Sequence, residues 1–536
     1  MAPWYAWTPW GGEFWVARLL LQRGLALTYL VAFLAAARQF RPLAGEDGLL
    51  PLSRYTGRYE FRQKPSLFYF LDSDRALAVG AWLGVGLATL ALLGVPGRFG
   101  TPAYVLVWTA MWVLYLSFVN AGQTFYGYGW ESMLCECGFL AIFLGAPDLV
   151  APAVVVYLFR WVEFRNMFGA GLIKLRGDEC WRDLTCLEYH YETQPMPNPL
   201  SWVAHRLPTS AHKLGVAVNH VVELAVPFLY FGPPRVAALA GLATVGFQGW
   251  LMLTGNFSFL NFLTIVVAGS LFADSVVTAG VDLFGLTGVV PSILPIPAAT
   301  GLAPLSLPHQ VALAALLVLV VALSYYPVVN MISSSQAMNR AFDPLNLVNT
   351  YGAFGSITRD RYEIVVQGTH DETITDDTEW ETYTFPGKPT DSERLPRQWA
   401  PYHLRLDWQL WFAAMASSPR RSPWFVHLLA KLLAGDEATH SLLRENPFPD
   451  PDDPPTHVRA LRYRYEFTDG GTLRETGRWW DRERVGTYYG PVSLDDPRFR
   501  STLRRQGWDV PGTDGDRNGD RTRVDVDDLA DEVLGD

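Results

Sequence analysis

Eight ionisable residues stand inside apolar runs of this chain. Glu131 and Glu136 lie in GWESMLCECGFLAIFLG. Arg160, Glu163 and Arg165 lie in YLFRWVEFRNMFGAGLIKL, which carries Lys174 near its end. His220 and Glu223 lie in NHVVELAVPF. A charge at the centre of a bilayer costs about 2.5–3.5 kcal/mol on insertion scales, so residues kept there are expected to face the protein interior. Arg160 and Glu163 are spaced i,i+3, as are His220 and Glu223, the spacing at which helix neighbours pair. Two readings follow. In one, Arg160, Glu163 and Arg165 form an intramembrane polar network that fixes helix packing, and Lys174 is a snorkelling anchor. In the other, the charges line a reaction site. Lys174, desolvated at a helix end, is then the catalytic base, with Glu131, Glu136, His220 and Glu223 as candidate partners. A transporter has less support, because no inverted repeat is visible.

Between two of these runs sits CWRDLTCLEYHYETQPMPNPLSW, residues 180–202, too polar to cross a membrane and too aromatic for a linker. Cys180 and Cys186 could form a disulfide if the loop faces an oxidising compartment. Cys135 and Cys137, two apart in an apolar run, point to different helix sides and are expected to stay unpaired. Glu188, His190 and Glu192 alternate. On an extended strand they would share a face and could hold a metal; plain surface chemistry is the alternative. Pro195, Pro197 and Pro199 rule out a continuous helix. Such a rigid aromatic loop could clamp over the bundle or engage a partner.

The tail places Asp514, Asp516, Asn518, Gly519, Asp520 and Asp525 at the spacing of a calcium loop. Aspartate stands at the twelfth place where glutamate is commoner, and Arg521 stands where an apolar residue is usual. A disordered acidic tail is the competing reading. Apart from calcium in this tail, no cofactor is expected.

The elements that position these residues follow from composition. Of 536 residues, 49% are hydrophobic and 18% charged, against about a quarter charged in soluble domains. The deficit is confined to residues 1–335. Nine stretches there reach the roughly 20 apolar residues of a membrane span: 14–37, 74–94, 102–120, 129–146, 150–173, 213–232, 235–254, 257–273 and 309–331. Arg18 and Arg23 suggest an interfacial start for the first. Ala35-Ala36-Ala37 could serve as a signal-peptide cleavage site, but the long Trp-rich segment before Arg18 favours a retained helix.

After Tyr362 the pattern turns polar. RYEIVVQGT and EWETYTF read as strands, RLDWQLWFAAMA and PWFVHLLAKLLAG as helices with Gly435 as a C-cap, and HVRALRYRYEFTD as a further strand before a Gly470-Gly471 turn. The fold class is thus a multi-pass α-helical membrane bundle of about nine transmembrane helices followed by a soluble α+β domain. The bundle occupies 1–335, with a polar loop at 174–212. The soluble domain occupies 345–505 and the acidic tail 510–536. The net charge of −10 and the absence of a basic patch argue against nucleic acid as a partner. Five lysines and the acidic tail suggest a salt-adapted host. Basic residues in the 38–73 and 174–212 loops would place those loops, and the C-terminal domain, in the cytoplasm.

Several stretches resemble the lipase maturation factor family: GQTFYGYGWESMLCECGFLAIFL, MFGAGLIKLRGDECWRDLTCLEYHYETQPMPNPLSW, YEIVVQGT, APYHLRLDWQLWFAAM, NPFPDPDDPPTHVRALRYRYEF and GRWWDRERVG. The resemblance covers residues from about 13 to 495. It implies a multi-pass membrane protein, without enzymatic activity of its own, that acts as a chaperone for exported client proteins, lipases among them. In eukaryotes the family works in the endoplasmic reticulum membrane with its soluble domain on the lumenal side. In a prokaryote the corresponding place is the cell membrane, with the soluble domain extracytoplasmic. This placement is preferred here to the positive-inside reading. AGLIKL also resembles, more faintly, a stretch of the vitamin K-dependent carboxylase. That resemblance implies the alternative function, an intramembrane enzyme using Lys174.

Overall fold

The computed structural model describes residues 12–285 and 301–508. The calcium-like spacing Asp514, Asp516, Asn518, Asp520 and Asp525 lies outside the described residues.

The helix Trp15–Ala44 is the spine of the bundle and is buried along much of its length. Its two arginines do not give it an interfacial start. The Arg18 guanidinium donates to the carbonyls of Ala146, Pro147 and Leu149 at 2.6–3.1 Å. Arg23 donates to Ala91 and Leu92 at 2.7 and 2.6 Å. Both arginines thus satisfy carbonyls at or just beyond the ends of neighbouring helices, which lack intrahelical partners. The adjoining helix Asp74–Leu92 packs closely because Gly84 faces the Phe33 ring, where a Cβ would collide.

Among the described residues, six helices are long and apolar enough to cross a membrane: Trp15–Ala44, Asp74–Leu92, Thr101–Ala121, Thr209–Phe231, Pro234–Leu253 and Leu307–Ile332. A seventh span is possible if Leu260–Leu271 and Asp274–Leu283, bent by 94°, count as one. Three of the nine expected spans therefore do not meet the criterion as single apolar helices: 257–273, which is part of that bent pair, 129–146 and 150–173. The 129–146 stretch forms only the 13-residue helix Gly129–Ala141, about 20 Å long at 1.5 Å per residue. The 150–173 stretch forms the 24-residue helix Ala153–Arg176, whose charges exclude it on composition. Four of its charges, Arg160, Glu163, Arg165 and Lys174, are buried and so meet protein rather than lipid.

The C-terminal region is built on an antiparallel sheet of order β2-β1-β3-β4. Its strands are β1 Arg361–Thr369, β2 Glu381–Thr382, β3 His457–Phe467 and β4 Trp480–Val492. EWETYTF yields only the two-residue β2. The helices Arg405–Ala414 and Pro423–Leu433 are inserted between β2 and β3. Gly435, just past the second, adopts the left-handed conformation at φ +64° expected of a helix stop. The Gly470-Gly471 pair opens the short helix Gly470–Thr476, capped by the Asp469 side chain, rather than a bare turn. One apolar core is continuous from Tyr29 and Phe33 in the bundle, through Phe125 and Trp130, to Trp408 and Phe425 beside the sheet.

The 174–212 loop folds as short helices. Glu179–Arg182 and Leu187–Thr193 precede the proline run, and Pro199–His205 follows it. Asn198 caps the last by a reciprocal capping box with Ser201. Cys180 and Cys186 sit together in disulfide geometry with Cα atoms 4.7 Å apart. Cys135 and Cys137 are buried and free.

Candidate functional site

The buried charges gather into clusters where bundle, loop and sheet meet. Glu131, in the short helix Gly129–Ala141, lies 2.7 Å from Nη1 of Arg405 and 3.5 Å from Nδ1 of His403. All three are fully buried. The Tyr115 hydroxyl also donates to Glu131. The Arg405 guanidinium stacks 3.4 Å over the Tyr126 ring. Gln39, near the end of the spine helix, closes the cluster by donating to the His403 carbonyl at 2.7 Å and accepting from the Arg405 amide at 3.0 Å. Burial, then the adjacent guanidinium, pushes His403 down to about 4, so Arg405 is the cation that faces Glu131 at neutral pH.

One turn on, Glu136 holds a second cluster. It pairs with Arg165 and accepts from the Asn349 amide at 3.0 Å and the Tyr351 hydroxyl at 2.6 Å. Arg165 in turn donates to the Asn349 carbonyl at 2.6 Å. This short helix therefore ties the Ala153–Arg176 helix to the segment that leads into the sheet.

Lys174 forms a third cluster. Its Nζ lies 2.6 Å from Glu223 and 2.9 Å from Asn219 Oδ1, and 4.9 Å over the Trp181 ring. A π-helical turn, Val221–Ala225, carries Glu223. Such turns recur at functional sites because they re-aim one side chain. The cluster borders a cavity of about 70 Å³ lined by Lys174, His190, Asn219, Glu223, Phe257 and Phe354, among others. That is room for little more than ordered water. The His190 ring stacks on Phe257, and burial, with Lys174 adding, pushes it down to about 3.

The fourth cluster joins loop to sheet. Arg361, the first residue of β1, donates to the carbonyls of Glu192, Gln194 and Pro195 at 2.5–3.3 Å and pairs with Glu363. Lys388 lies 2.7 Å from Glu363. Asp407 accepts from the Gly387 amide at 2.6 Å, and burial pushes its carboxyl up to about 7. The Glu192 carboxylate accepts from the Phe467 amide at 2.5 Å, and Trp202 donates to the Thr468 carbonyl at 3.1 Å. The proline run is thereby pinned to the sheet.

Three expected arrangements differ. Arg160 does not pair with Glu163; it donates to the carbonyls of Ser270 and Tyr230, both at 3.0 Å. Glu163 is buried, and neither oxygen has a hydrogen-bond partner among the described residues. Arg160, Glu163 and Arg165 therefore do not form one network: buried carbonyls at chain bends compete for the guanidinium. His220 does not pair with Glu223 either; it contacts the Trp181 carbonyl at 2.9 Å. Glu188, His190 and Glu192 lie on the helix Leu187–Thr193, where alternate residues diverge by 200°. Among the described residues no three acidic, histidine or cysteine side chains are grouped to hold a metal.

The sequence reading did not single out Arg361, Glu363, Lys388, His403, Arg405 or Asn349. One signal was present. Lysine is scarce, and Lys388 is one of only five in the chain.

The chain matches the family model described as the lipase maturation factor transmembrane domain over residues 16–279. It matches the lipase maturation factor C-terminal domain over 347–490. It is 41% identical to a lipase maturation factor 1 of Mus musculus, covering 93% of this chain and 91% of that protein. Against lipase maturation factor 1 of Homo sapiens the identity is 40%, over 94% and 92% of the two chains. Against lipase maturation factor 2 of Homo sapiens it is 30%, over 91% and 84%. No solved structure matches the chain.

Proposed function

The chain belongs to the lipase maturation factor family, and we propose that it is a membrane-embedded, non-enzymatic maturation factor. Its clients are exported proteins, lipases above all. The carboxylase-like alternative is not favoured, because the relatives that match the chain at about 40% identity over more than 90% of its length are lipase maturation factors.

The observation that carries this reading is the coupling of the parts. Arg361, Glu192 and Trp202 join the 174–212 loop to the C-terminal sheet, and the Glu131–Arg405 pair fixes the C-terminal region to one end of the bundle. A rigid surface mounted on a membrane suits a factor that receives a client as it is exported. We further propose nine crossings. Their support is the alternation of connections. Arg18 meets the 146–149 turn and the Trp15 amide meets Asp274 at one end, while Gln39 meets His403 and Asn198 meets Leu253 at the other. In this arrangement the loop and the sheet share the extracytoplasmic side, which is lumenal in an endoplasmic reticulum membrane.

The test is co-expression with a secreted lipase in cells that lack their own maturation factor. The expected result is recovery of secreted lipase activity at constant lipase synthesis. Unchanged activity with the chain present and membrane-inserted would overturn the reading.

A further inference from the structure

A second cavity, of about 680 Å³, opens on the same end of the bundle as the loop and the sheet. That size falls within the range of ligand pockets. Its walls come from the 63–64 turn, the 119–132 connection and the 337–346 segment, of which only Tyr126 belongs to the clusters above.

The walls are rich in carboxamides. Asn120 donates to the Pro65 carbonyl at 2.8 Å through Nδ2, which leaves its oxygen open. Gln123 donates to the Leu50 carbonyl at 2.9 Å through Nε2, leaving its oxygen open as well. Asn339 accepts from the Gly352 amide at 3.2 Å through its oxygen, which leaves its NH₂ open. Asn346 is the decisive residue. It is 7% exposed, and its carboxamide makes no hydrogen bond among the described residues. Asn346 lines this cavity, so its carboxamide is free to pair with a bound group.

Backbone conformation adds to the case. Gln123, Asn339 and Asn346 hold φ values of +50°, +52° and +54°. Asparagine is among the non-glycine residues that adopt this region most readily, so Gln123 is the uncommon case here. The one carboxylate on the wall, Asp343, is used internally, accepting from the amides of Leu345 and Leu347 at 3.0–3.1 Å. Lys64 and Arg340 stand at the edge.

We propose that this cleft takes an extended, unfolded segment of a client polypeptide and holds it through its backbone. A side-chain carboxamide both donates and accepts, so it can pair with a peptide N–H and C=O whatever the side chains are. A row of them with one end free, and no free carboxylate, suits a sequence-tolerant peptide groove. This inference rests on the maturation-factor reading and deepens it by naming the part of the client that is held.

The experiment uses the full chain in detergent, with a photoreactive benzoylphenylalanine in place of Arg340. The probe is reduced, carboxymethylated α-lactalbumin, which cannot fold; native α-lactalbumin is the control. Crosslinking is expected to the unfolded probe and not to the native one. Asn346→Asp, which keeps the shape and removes the NH₂, should lower the yield about three- to tenfold, as loss of one hydrogen bond implies. Asn346→Gly, compatible with the positive φ, provides a second variant if the first elutes as aggregate. Equal yields for folded and unfolded probes, or no effect of either variant, would overturn the proposal. So would competition by a free oligomannose glycan, which would assign the amides to sugar. Assaying the same variants for lipase maturation separates the two ideas. Maturation that survives both variants refutes the cleft alone, whereas a wild-type chain that never matures a lipase refutes the broader reading.

Discussion

Glu131 of the bundle and Arg405 of the C-terminal region face each other at 2.7 Å with no exposure to solvent on either side. The two residues are 274 positions apart in sequence and belong to regions of different solvent preference. Removing one partner strands a buried charge, which costs about 3–5 kcal/mol. Arg405→Met and Glu131→Gln are each expected to reduce the thermal stability of the detergent-extracted protein. The double variant should lose less than the two single losses added together. A double-mutant cycle read by thermal unfolding checks this, and strict additivity would show that the pair is not coupled.

Arg361 holds the proline run by donating to three carbonyls. Arg361→Met removes those donors and leaves Glu363 with Lys388 as its cation. Amide exchange in residues 187–205 should speed up, while exchange in the Trp15–Ala44 helix stays as it was. Hydrogen-exchange mass spectrometry reads both at once. An unchanged loop would mean that the prolines and the capping box suffice to hold it.

The Asp407 carboxyl has its folded value raised by burial to about 7, against an unfolded value of about 3.9. Its contribution favours the fold below the unfolded value and is lost as pH rises from about 4 towards 7. Asp407→Asn keeps an oxygen for the Gly387 amide and cannot ionise. Thermal melting measured between pH 4 and 7 should therefore be flatter in this variant than in the parent. Equal slopes would show that Asp407 is not the titrating group.

The loop closed by Cys180 and Cys186 is short, so chain entropy assigns a disulfide there about 2 kcal/mol. We propose that the bond forms in the native protein. Mass spectrometry after alkylation without reductant should find both cysteines blocked from reagent, and reductant should release them. Two alkylated cysteines in the non-reduced sample would refute the bond.

The bundle was legible because spans of about 20 apolar residues are a strong signal. Trp15–Ala44 and Asp74–Leu92 fall close to where hydropathy put them. Glu131 and Glu136 were also legible as residues that must face inward, although their partners were not. Arg405, Asn349 and Tyr351 lie more than 200 positions away and read as ordinary polar residues until the fold brings them home. Local spacing misled at Arg160 and His220. An i,i+3 partner is worth a few tenths of a kcal/mol in an isolated helix. An unsatisfied buried carbonyl costs more than that, and so the carbonyls of Ser270, Tyr230 and Trp181 won. EWETYTF shrank to a two-residue strand because β2 is the sheet edge, and β1 pairs with it only at Gln367 and Gly368.

We propose that loop and sheet together form a surface outside the cytoplasm, where an exported client can reach it. Single cysteines at Asp183 in the loop, Glu475 beside the sheet and Arg98 at the opposite end test it, because these three positions are exposed. All four native cysteines are buried, so the new cysteine is the reactive one. A membrane-impermeant maleimide is applied to intact cells, or to sealed endoplasmic reticulum vesicles with a permeabilised control. Asp183→Cys and Glu475→Cys should react from the extracytoplasmic side and Arg98→Cys only from the cytoplasmic side. Labelling of either of the first two from the cytoplasm would contradict it.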